Sequence, residues 1–415
     1  MSSLTERVYN DSSFTRQRTL PGQVEQGEII NVREEAKKKA PSFPLASVLH
    51  DEYAARRRTE VESGKYTPGK LLSVQVDQPL LRELFIAQGR KNIRHEVKNA
   101  FGNVAKEGTP IDWYNPTHPF VDEGDKIMAV RLEPRDCEVS FIGFIKENPD
   151  KEGYSFDWTR PLIENAQDPS ITSDNNGNHI LSVVSIQADE NDRITGYNTT
   201  QFRGPNVRTL SLFHTLPGKD NRPIQLQDRV RAFLRPQGEI GGAGKLAVRD
   251  YPDWEQYKAD LRPLTPADLL EANFVESNHG GPNFPLPDGQ VYGHIADKVY
   301  DKTGSVVRLQ YYVTWMLTDL GTGQLLYQES PMTGALEPLI KVITDRSDFP
   351  ESGEIPDKDS QNPQKIHDVV FTSGIEHVGQ GRVRITTGIS DTRIGVREID
   401  DPMLGINISS LRVLA

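Results

Sequence analysis

An all-β fold is the class this sequence predicts, and three features carry that expectation. From about residue 111 onward, short apolar alternations are separated by Gly, Asp, Asn and Pro turns, the pattern of consecutive antiparallel strands. The same strand–turn–strand layout recurs without recurring letters, and within that region only one stretch, Pro266 to Asn273, has an evident helical pattern. So many short strands leave many edges, and a β-propeller disposes of them without a long hairpin barrel. A lipocalin-like barrel is too small for 415 residues.

The elements follow in order. Residues 1–110 form a polar extension of mixed charge, with predicted helices at Glu34 to Lys39, Leu45 to Glu60 and Leu80 to Gln88. The segment is too polar to be a self-sufficient domain, which leaves it three roles: a cap, an arm for self-association, or a brace for one sheet. The β region then occupies 111–415. In Val130 to Glu138 alternation sets Arg131, Glu133, Arg135 and Cys137 on one face and Val130, Leu132, Asp136 and Glu138 on the other, with Pro134 disturbing the register. Ser170 to Thr172 passes through Asp174 to Asn178, residues tolerant of positive φ, into His179 to Gln187. Comparable units lie at Leu286 to Ile295, at Tyr311 to Leu326 around Asp319 to Gly323, and at Val369 to Thr387 around Gly379-Gln380-Gly381.

Composition narrows the function. A net charge of −11 and the lack of a continuous basic stripe argue against a nucleic-acid partner; Lys37 to Lys39 and Arg56 to Arg58 read as solvated helix faces. A mean hydropathy of −0.56 argues against residence in a membrane. The first thirty residues contain no apolar core of a secretory signal, and Cys137, the only cysteine, makes no internal disulfide, so a reducing, cytoplasmic setting is expected. One cysteine excludes cysteine-based zinc sites, and neither HxH nor HExxH spacing is present, so no metal is expected.

Several polar groupings remain. The Arg131 to Glu138 segment is either a solvent-facing edge with cross-strand ion pairs or a wall whose guanidiniums and carboxylates grip sugar hydroxyls or phosphate. Asp168-Pro169 alone reads as a turn start. Arg235 to Lys245 holds four glycines, Gly238, Gly241, Gly242 and Gly244, between two cations, which suits either a glycine-rich hairpin or close backbone approach to an anionic ligand. It is neither a Walker loop nor a Rossmann turn, and a GxSxG elbow is absent from the chain. Asn283, His294, Arg346 to Phe349, His367-Asp368 and Ser390-Asp391 each border a strand unit; a lone strand histidine more often packs than ligates.

Taken in order, Asn115-Pro116, Arg131-x-Glu133-Pro134-Arg135-Asp136-x-Glu138, Asp168-Pro169, Arg235-Pro236-Gln237-Gly238 with Gly241-Gly242-x-Gly244-Lys245, Gly293-His294-Ile295-Ala296, Arg346 to Pro350, Asp368 to Phe371 and Gly388-x-Ser390-Asp391 resemble the domain-of-unknown-function 1861 family, also called MTP-1. That family is similar to the mannosyltransferase/phosphorylases of glycosyltransferase family 108 and, more remotely, to the β-mannoside phosphorylases of glycoside hydrolase family 130. The resemblance spans roughly 110–405. It implies a five-bladed β-propeller with the site at the axial mouth and inverting chemistry on β-linked mannose, β-1,2 in particular, with inorganic phosphate or a nucleotide-mannose as co-substrate and an oligosaccharide as partner.

By the resemblance Asp168 is the catalytic acid, and its pKa is then expected to be raised by burial or by Glu133 or Asp136. Asn115, Arg131, Glu133, Arg135, Asp136, Glu138, Asn283, His294, Asp368 and Asp391 are the expected sugar contacts, and Arg235, Gln237 and Lys245 the phosphate or nucleotide contacts. Gln167 stands where the relatives carry glutamate before the acid, and Phe284 follows Asn283 where an acid often stands. Two rivals remain: an inverting hydrolase using Asp368 or Asp391 as base, with carboxyl groups roughly 6.5–9.5 Å apart, and a non-catalytic carbohydrate-binding propeller.

Overall fold

The computed structural model describes residues 46–83, 110–135, 140–188, 194–236, 246–270, 284–300, 306–329, 334, 336–350 and 368–413. β-Structure dominates them, in antiparallel sheets that succeed one another along the chain. The first is built on Asp125–Pro134, flanked by Ile111–Tyr114 on one side and by Phe141–Glu147 and Tyr154–Phe156 on the other. The second runs Gln167–Ser173, His179–Ala188, Ile194–Gly204, Ser211–Pro217, and the third Arg222–Gln225, Val230–Leu234, Ala247–Tyr251. Phe284–Pro285, Gln290–Tyr300, Val306–Leu317 and Ile340–Thr344 make the fourth; Val370–Gly379, Arg382–Ile389 and Arg393–Asp400 make the fifth. A smaller sheet joins Leu326–Glu329 to Leu336–Pro338 and Arg412–Val413.

Consecutive buried residues in Asp125–Pro134, Phe141–Glu147 and Val230–Leu234 mark strands covered on both faces, because their sheets have a neighbour on either side. An apolar cluster fills each gap. Ile127 and Phe144 of the first sheet meet Leu181 and Val183 of the second, and Ile180 and Phe213 of the second meet Val230 and Tyr251 of the third. Phe233 then packs with Val291 and Ile295, and Trp315 of the fourth sheet with Val370 and Ile385 of the fifth. Ile394 of the fifth joins Leu132 and Phe141 of the first, so the series of cores returns to its start.

Part of the N-terminal extension is woven into this arrangement. Lys70–Leu71 pairs with Val396 and Gly395 at the edge of the fifth sheet, and Val74–Gln75 pairs in parallel with Tyr154 and Ser155 at the edge of the first. The helix Ala46–Glu62 buries Ala46, Leu49 and Tyr53 in the core between the third and fourth sheets. Its anchor is Asp348, wholly buried, which accepts hydrogen bonds from Tyr53 and from Tyr66 (2.9 Å), Thr344 (2.6 Å) and the Asp345 amide (3.0 Å). Arg397 (2.8 Å) and Arg57 (2.9 Å) supply the countercharge. Four parts of the chain thus converge on one carboxylate.

Several expectations are refined. The Leu45 to Glu60 helix is present as Ala46–Glu62, and residues 78–83 are helical; Glu34 to Lys39 and the rest of Leu80 to Gln88 lie outside the described residues. Of the predicted helix Pro266 to Asn273, residues 266–270 are not a continuous helix and 271–273 lie outside the described residues. The segment opens as a 3-10 turn, Pro266–Asp268, closed by Asp268 on Thr265; the next residues pair with the third sheet instead, Leu269 by a bridge to Ala247 and Leu270 by its amide to the Leu246 carbonyl (2.9 Å). The charge-dense strand begins earlier than predicted and ends at Pro134, which as its last member needs to donate no further bond. The Tyr311 to Leu326 unit closes by the single bridge Thr318↔Leu325 before the chain leaves for the smaller sheet. Trp254–Ala259, a helix capped by Asp253 accepting from the Gln256 amide (2.7 Å), was not anticipated. Among the described residues no helix is long and apolar enough to cross a membrane.

Replacing Asp348 by alanine leaves the buried Arg397 and the half-buried Arg57 without their anion. The expected cost is about 3–5 kcal/mol, read as a lowered urea midpoint; an unchanged midpoint contradicts the anchoring role.

Candidate active site

Asp168 is the second residue of the Gln167–Ser173 strand, at an irregularity where Ser170 opposes Ser182 but Gln167 opposes Val184. The mismatch is a bulge, and it puts Asp168 in the left-handed region at φ 46°. Asn115 (φ 46°), Asp220 (φ 56°), Ser390 (φ 51°) and Asp391 (φ 51°) share that conformation. Asp and Asn tolerate it better than other non-glycine residues, at a cost of about 1–3 kcal/mol each that functional sites commonly carry. Asp168 opens the first strand of the second sheet and Asp220 lies just before that of the third, whereas Asn115 follows Ile111–Tyr114 and Ser390-Asp391 link the last two strands of the fifth.

The Asp168 carboxylate accepts from Asn115 Nδ2 (2.8 Å) and from Arg131 Nη1 (3.1 Å). Arg131 also donates through Nε and Nη2 to Glu133, which is 1% exposed and accepts from Tyr114 (2.9 Å) and Ser140. Strand alternation is what puts Arg131 and Glu133 on one face, and the pair is buried rather than solvated. Gln167 donates to Ser140 (3.4 Å). A glutamate there would add a third carboxylate to this cluster, whereas the amide supplies a donor. Asn115 rests against Gly388: a Cβ on Gly388 would lie 1.7 Å from Asn115 Oδ1, so any side chain there displaces the asparagine.

Across from this group stands a set of cations. Arg222, 2% exposed, donates Nη2 to the Asp168 carbonyl (2.9 Å) and to Asp220 (3.1 Å), and Nη1 to Ser170 (2.6 Å). Arg235 donates to the other oxygen of Asp220 (2.8 Å). Lys219 lies 3.6 Å above the Tyr197 ring and within electrostatic reach of Asp168. Tyr311, half-buried and within electrostatic reach of Arg235, Asp391, Asp168 and Asp220, has its hydroxyl pushed up to about 12, chiefly by desolvation. His294 stacks on Tyr311 (4.2 Å between ring centres) and tilts against Phe371 (5.0 Å).

The expected residues therefore divide. Asn115, Arg131, Glu133 and Asp168 form one hydrogen-bonded cluster, with Arg235, Asp391 and His294 around it. Arg135 turns instead to Asp112 (2.7 and 3.0 Å), and Asp368 to Arg308 and Gln310, outside the Asp168 cluster. Asp136, Glu138, Gln237, Lys245 and Asn283 lie outside the described residues. Lys219, Asp220, Arg222, Tyr114 and Tyr311 were missed. The run Lys219-Asp220-Asn221-Arg222-Pro223, a charged turn opening a strand as Asp168-Pro169 does, was the available signal. Among the described residues no three His, Cys, Asp or Glu side chains are placed to hold a metal ion.

The expected rise in the Asp168 pKa is not what the surroundings produce. Burial alone pushes the carboxyl up, but Arg131, the Asn115 hydrogen bond and Lys219 together outweigh it and hold the group below its ordinary 3.8. Asp168 is therefore ionised in the ligand-free protein at neutral pH. A folded-state pKa below the unfolded one stabilises the fold above the unfolded value, and this contribution is lost as pH falls from about 4 through the lower folded value. Arg131→Gln removes the leading countercharge, so isotope-edited infrared titration should show the Asp168 carboxylate protonating at higher pH than in the wild type; an unmoved midpoint refutes the assigned cause.

No curated protein matches the chain in sequence. Among solved structures it is similar to MPT-4, a mannose phosphorylase from Leishmania mexicana in complex with a phosphate ion, at 22% identity and a TM-score of 0.57, over 86% of this chain and 95% of that one. It is also similar to MPT-1, a GDP-Man-dependent mannosyltransferase from the same organism, at 18% identity and a TM-score of 0.57, over 87% and 98%. A hypothetical protein from Leishmania major shares 21% identity with a TM-score of 0.55, over 84% and 96%. At these identities the likeness is one of fold. A family model described as "protein of unknown function (DUF1861)" matches residues 86–405, and the chain belongs to that family.

Proposed function

We propose that this protein is a glycoside phosphorylase or glycosyltransferase acting on β-mannosides, β-1,2-linked ones in particular, with Asp168 moving the proton and the Arg131–Glu133 pair fixing it. In this reading the five sheets are the blades of a β-propeller, residues 111–415 are the catalytic unit, residues 1–110 extend and brace it, and the lone Cys137 suits a cytoplasmic setting. The observation that carries the proposal is a buried, ionised carboxylate held by Asn115 and Arg131 beside the Lys219, Arg222 and Arg235 cations. Fold similarity to a phosphorylase and a mannosyltransferase supports the reaction class.

The ionised state suits the transfer direction. The oxygen of an acceptor hydroxyl bonds to the anomeric carbon of mannose, the bond from that carbon to the phosphate oxygen breaks, and the hydroxyl proton passes to Asp168. Because its basicity is low, Asp168 takes the proton late, once bond formation has made it acidic. Run backward, phosphate attacks the anomeric carbon on the face opposite the departing glycosidic oxygen, and the proton returns from Asp168 to that oxygen, with inversion. Phosphate or nucleotide-mannose is the co-substrate, and the cations disperse its charge. Arg222 and Arg235, with Gln237 and Lys245, are assigned to it; Asn115, Arg131 and Asp391 to the sugar.

Inverting hydrolysis is the second reading, because Asp391 shares the surroundings of Tyr311 with Asp168 and offers a second carboxylate. Incubation with a β-1,2-manno-oligosaccharide with and without phosphate, and with mannose 1-phosphate or GDP-mannose plus an acceptor, separates the two. Mannose 1-phosphate formed only with phosphate, or an elongated acceptor, is expected; free mannose without phosphate favours hydrolysis. Asp168→Asn should lower kcat by about 10²–10⁴-fold with little change in substrate binding. Retained turnover would remove Asp168 from the reaction.

A further inference from the structure

The hydroxyl of Tyr311 stands open among the charged groups around Asp168. Tyr311 lies on the Val306–Leu317 strand, opposite Ala296 and bridged in parallel to Val369, with its amide on the Asp368 carbonyl (3.3 Å). The next residue, Tyr312, is buried in the core between the third and fourth sheets, so alternation turns Tyr311 to the other face. His294, a diagonal neighbour across the strand pair, holds the Tyr311 ring in a near-parallel stack (17°) and is itself backed by Phe371. Packing thus fixes the ring and leaves its oxygen unengaged.

Among the described residues the phenol oxygen forms no hydrogen bond, yet it is not closed to solvent. A ligand can therefore reach it without first breaking a bond within the protein. The surroundings select what it meets. The charges acting most strongly on it are one guanidinium, Arg235, and three carboxylates, Asp391, Asp168 and Asp220, so a neutral group is better suited to this place than a further anion. Desolvation, with these carboxylates, keeps the proton on the oxygen at neutral pH. Ionised carboxylates accept hydrogen bonds and donate none, whereas a sugar hydroxyl does both. A phenol that retains its proton supplies the donor that the neighbouring carboxylates lack.

We propose that Tyr311 is a specificity-determining residue whose hydroxyl donates a hydrogen bond to one hydroxyl oxygen of the mannosyl unit bound at Asp168. The assignment rests on the mannoside reading of that site. Isothermal titration of the full chain with β-1,2-mannobiose, and separately with inorganic phosphate, tests it. Tyr311→Phe keeps the ring and its stack on His294 and deletes only an oxygen without a partner among the described residues, so the fold is expected to persist, which a thermal melt checks. The variant should bind the disaccharide about three- to tenfold more weakly than the wild type and phosphate with unchanged affinity. In a series of mannobioses that each lack one hydroxyl, a single member should bind wild type and variant alike, because it lacks the partner of the phenol. Equal disaccharide binding by wild type and Tyr311→Phe, loss of phosphate affinity instead of sugar affinity, or a difference that persists through the whole deoxy series overturns the assignment and leaves the mannoside reading in place. A wild type that binds no mannobiose overturns that reading, and the assignment with it.

Discussion

The guanidinium of Arg131 is shared between two buried carboxylates, and the remaining site chemistry depends on that division. Two hydrogen bonds go to Glu133 and one to Asp168. Removing either anion leaves the cation overbalanced toward the other, and removing the cation leaves two anions facing each other in a dry environment. Tyr114 and Ser140 complete the arrangement by donating to Glu133, so its charge is satisfied without drawing Arg131 wholly away from Asp168. The protonation state of the Asp168 carboxyl is set by its neighbours. A ligand that competes for Arg131 would release Asp168 to accept a proton, which links occupancy of the site to its acid form.

A different constraint holds the frame. Cores that follow one another around a circuit gain nothing if the first and last sheets part, and the N-terminal segment adds a short edge strand to each of them. The Lys70 to Gln75 segment edges both sheets, while Asp348 ties Tyr53, Tyr66, Arg57 and Arg397 together. The Arg346 to Pro350 motif, conspicuous in sequence, therefore belongs to architecture, not to chemistry.

Much of the β-structure was legible because hairpins such as Gln167–Ser173 with His179–Ala188 are local: alternation and an Asp-Asn-Asn-Gly-Asn turn specify them within some twenty residues. Asp168 and the Arg131–Glu133 pair were legible through a family pattern, and strand alternation put the latter two on one face. What escaped notice was non-local. That Arg222 reaches the Asp168 carbonyl, that Tyr311 backs it, or that Arg135 turns to Asp112 depends on which sheets become neighbours, and no short window contains that information. The pKa direction failed for the same reason: burial was foreseen, but Asn115 comes from the first sheet and Lys219 from the connection between the second and third. Pro266 to Asn273 read as helix because its capping is local, while the competing pairing to Leu246 and Ala247 is not.

The left-handed backbone at Asn115, Asp168, Asp220, Ser390 and Asp391 constrains how this protein can be redesigned. Glycine relaxes such positions, so a library that randomises the site will be enriched, under selection for yield alone, in glycine variants that express well and carry no carboxylate. Screens for altered donor or acceptor choice are better confined to Asn, Asp and Gly at these five positions. Wider diversity belongs at residues with ordinary φ, such as Gln167 and Tyr311, where a new side chain does not contest the backbone.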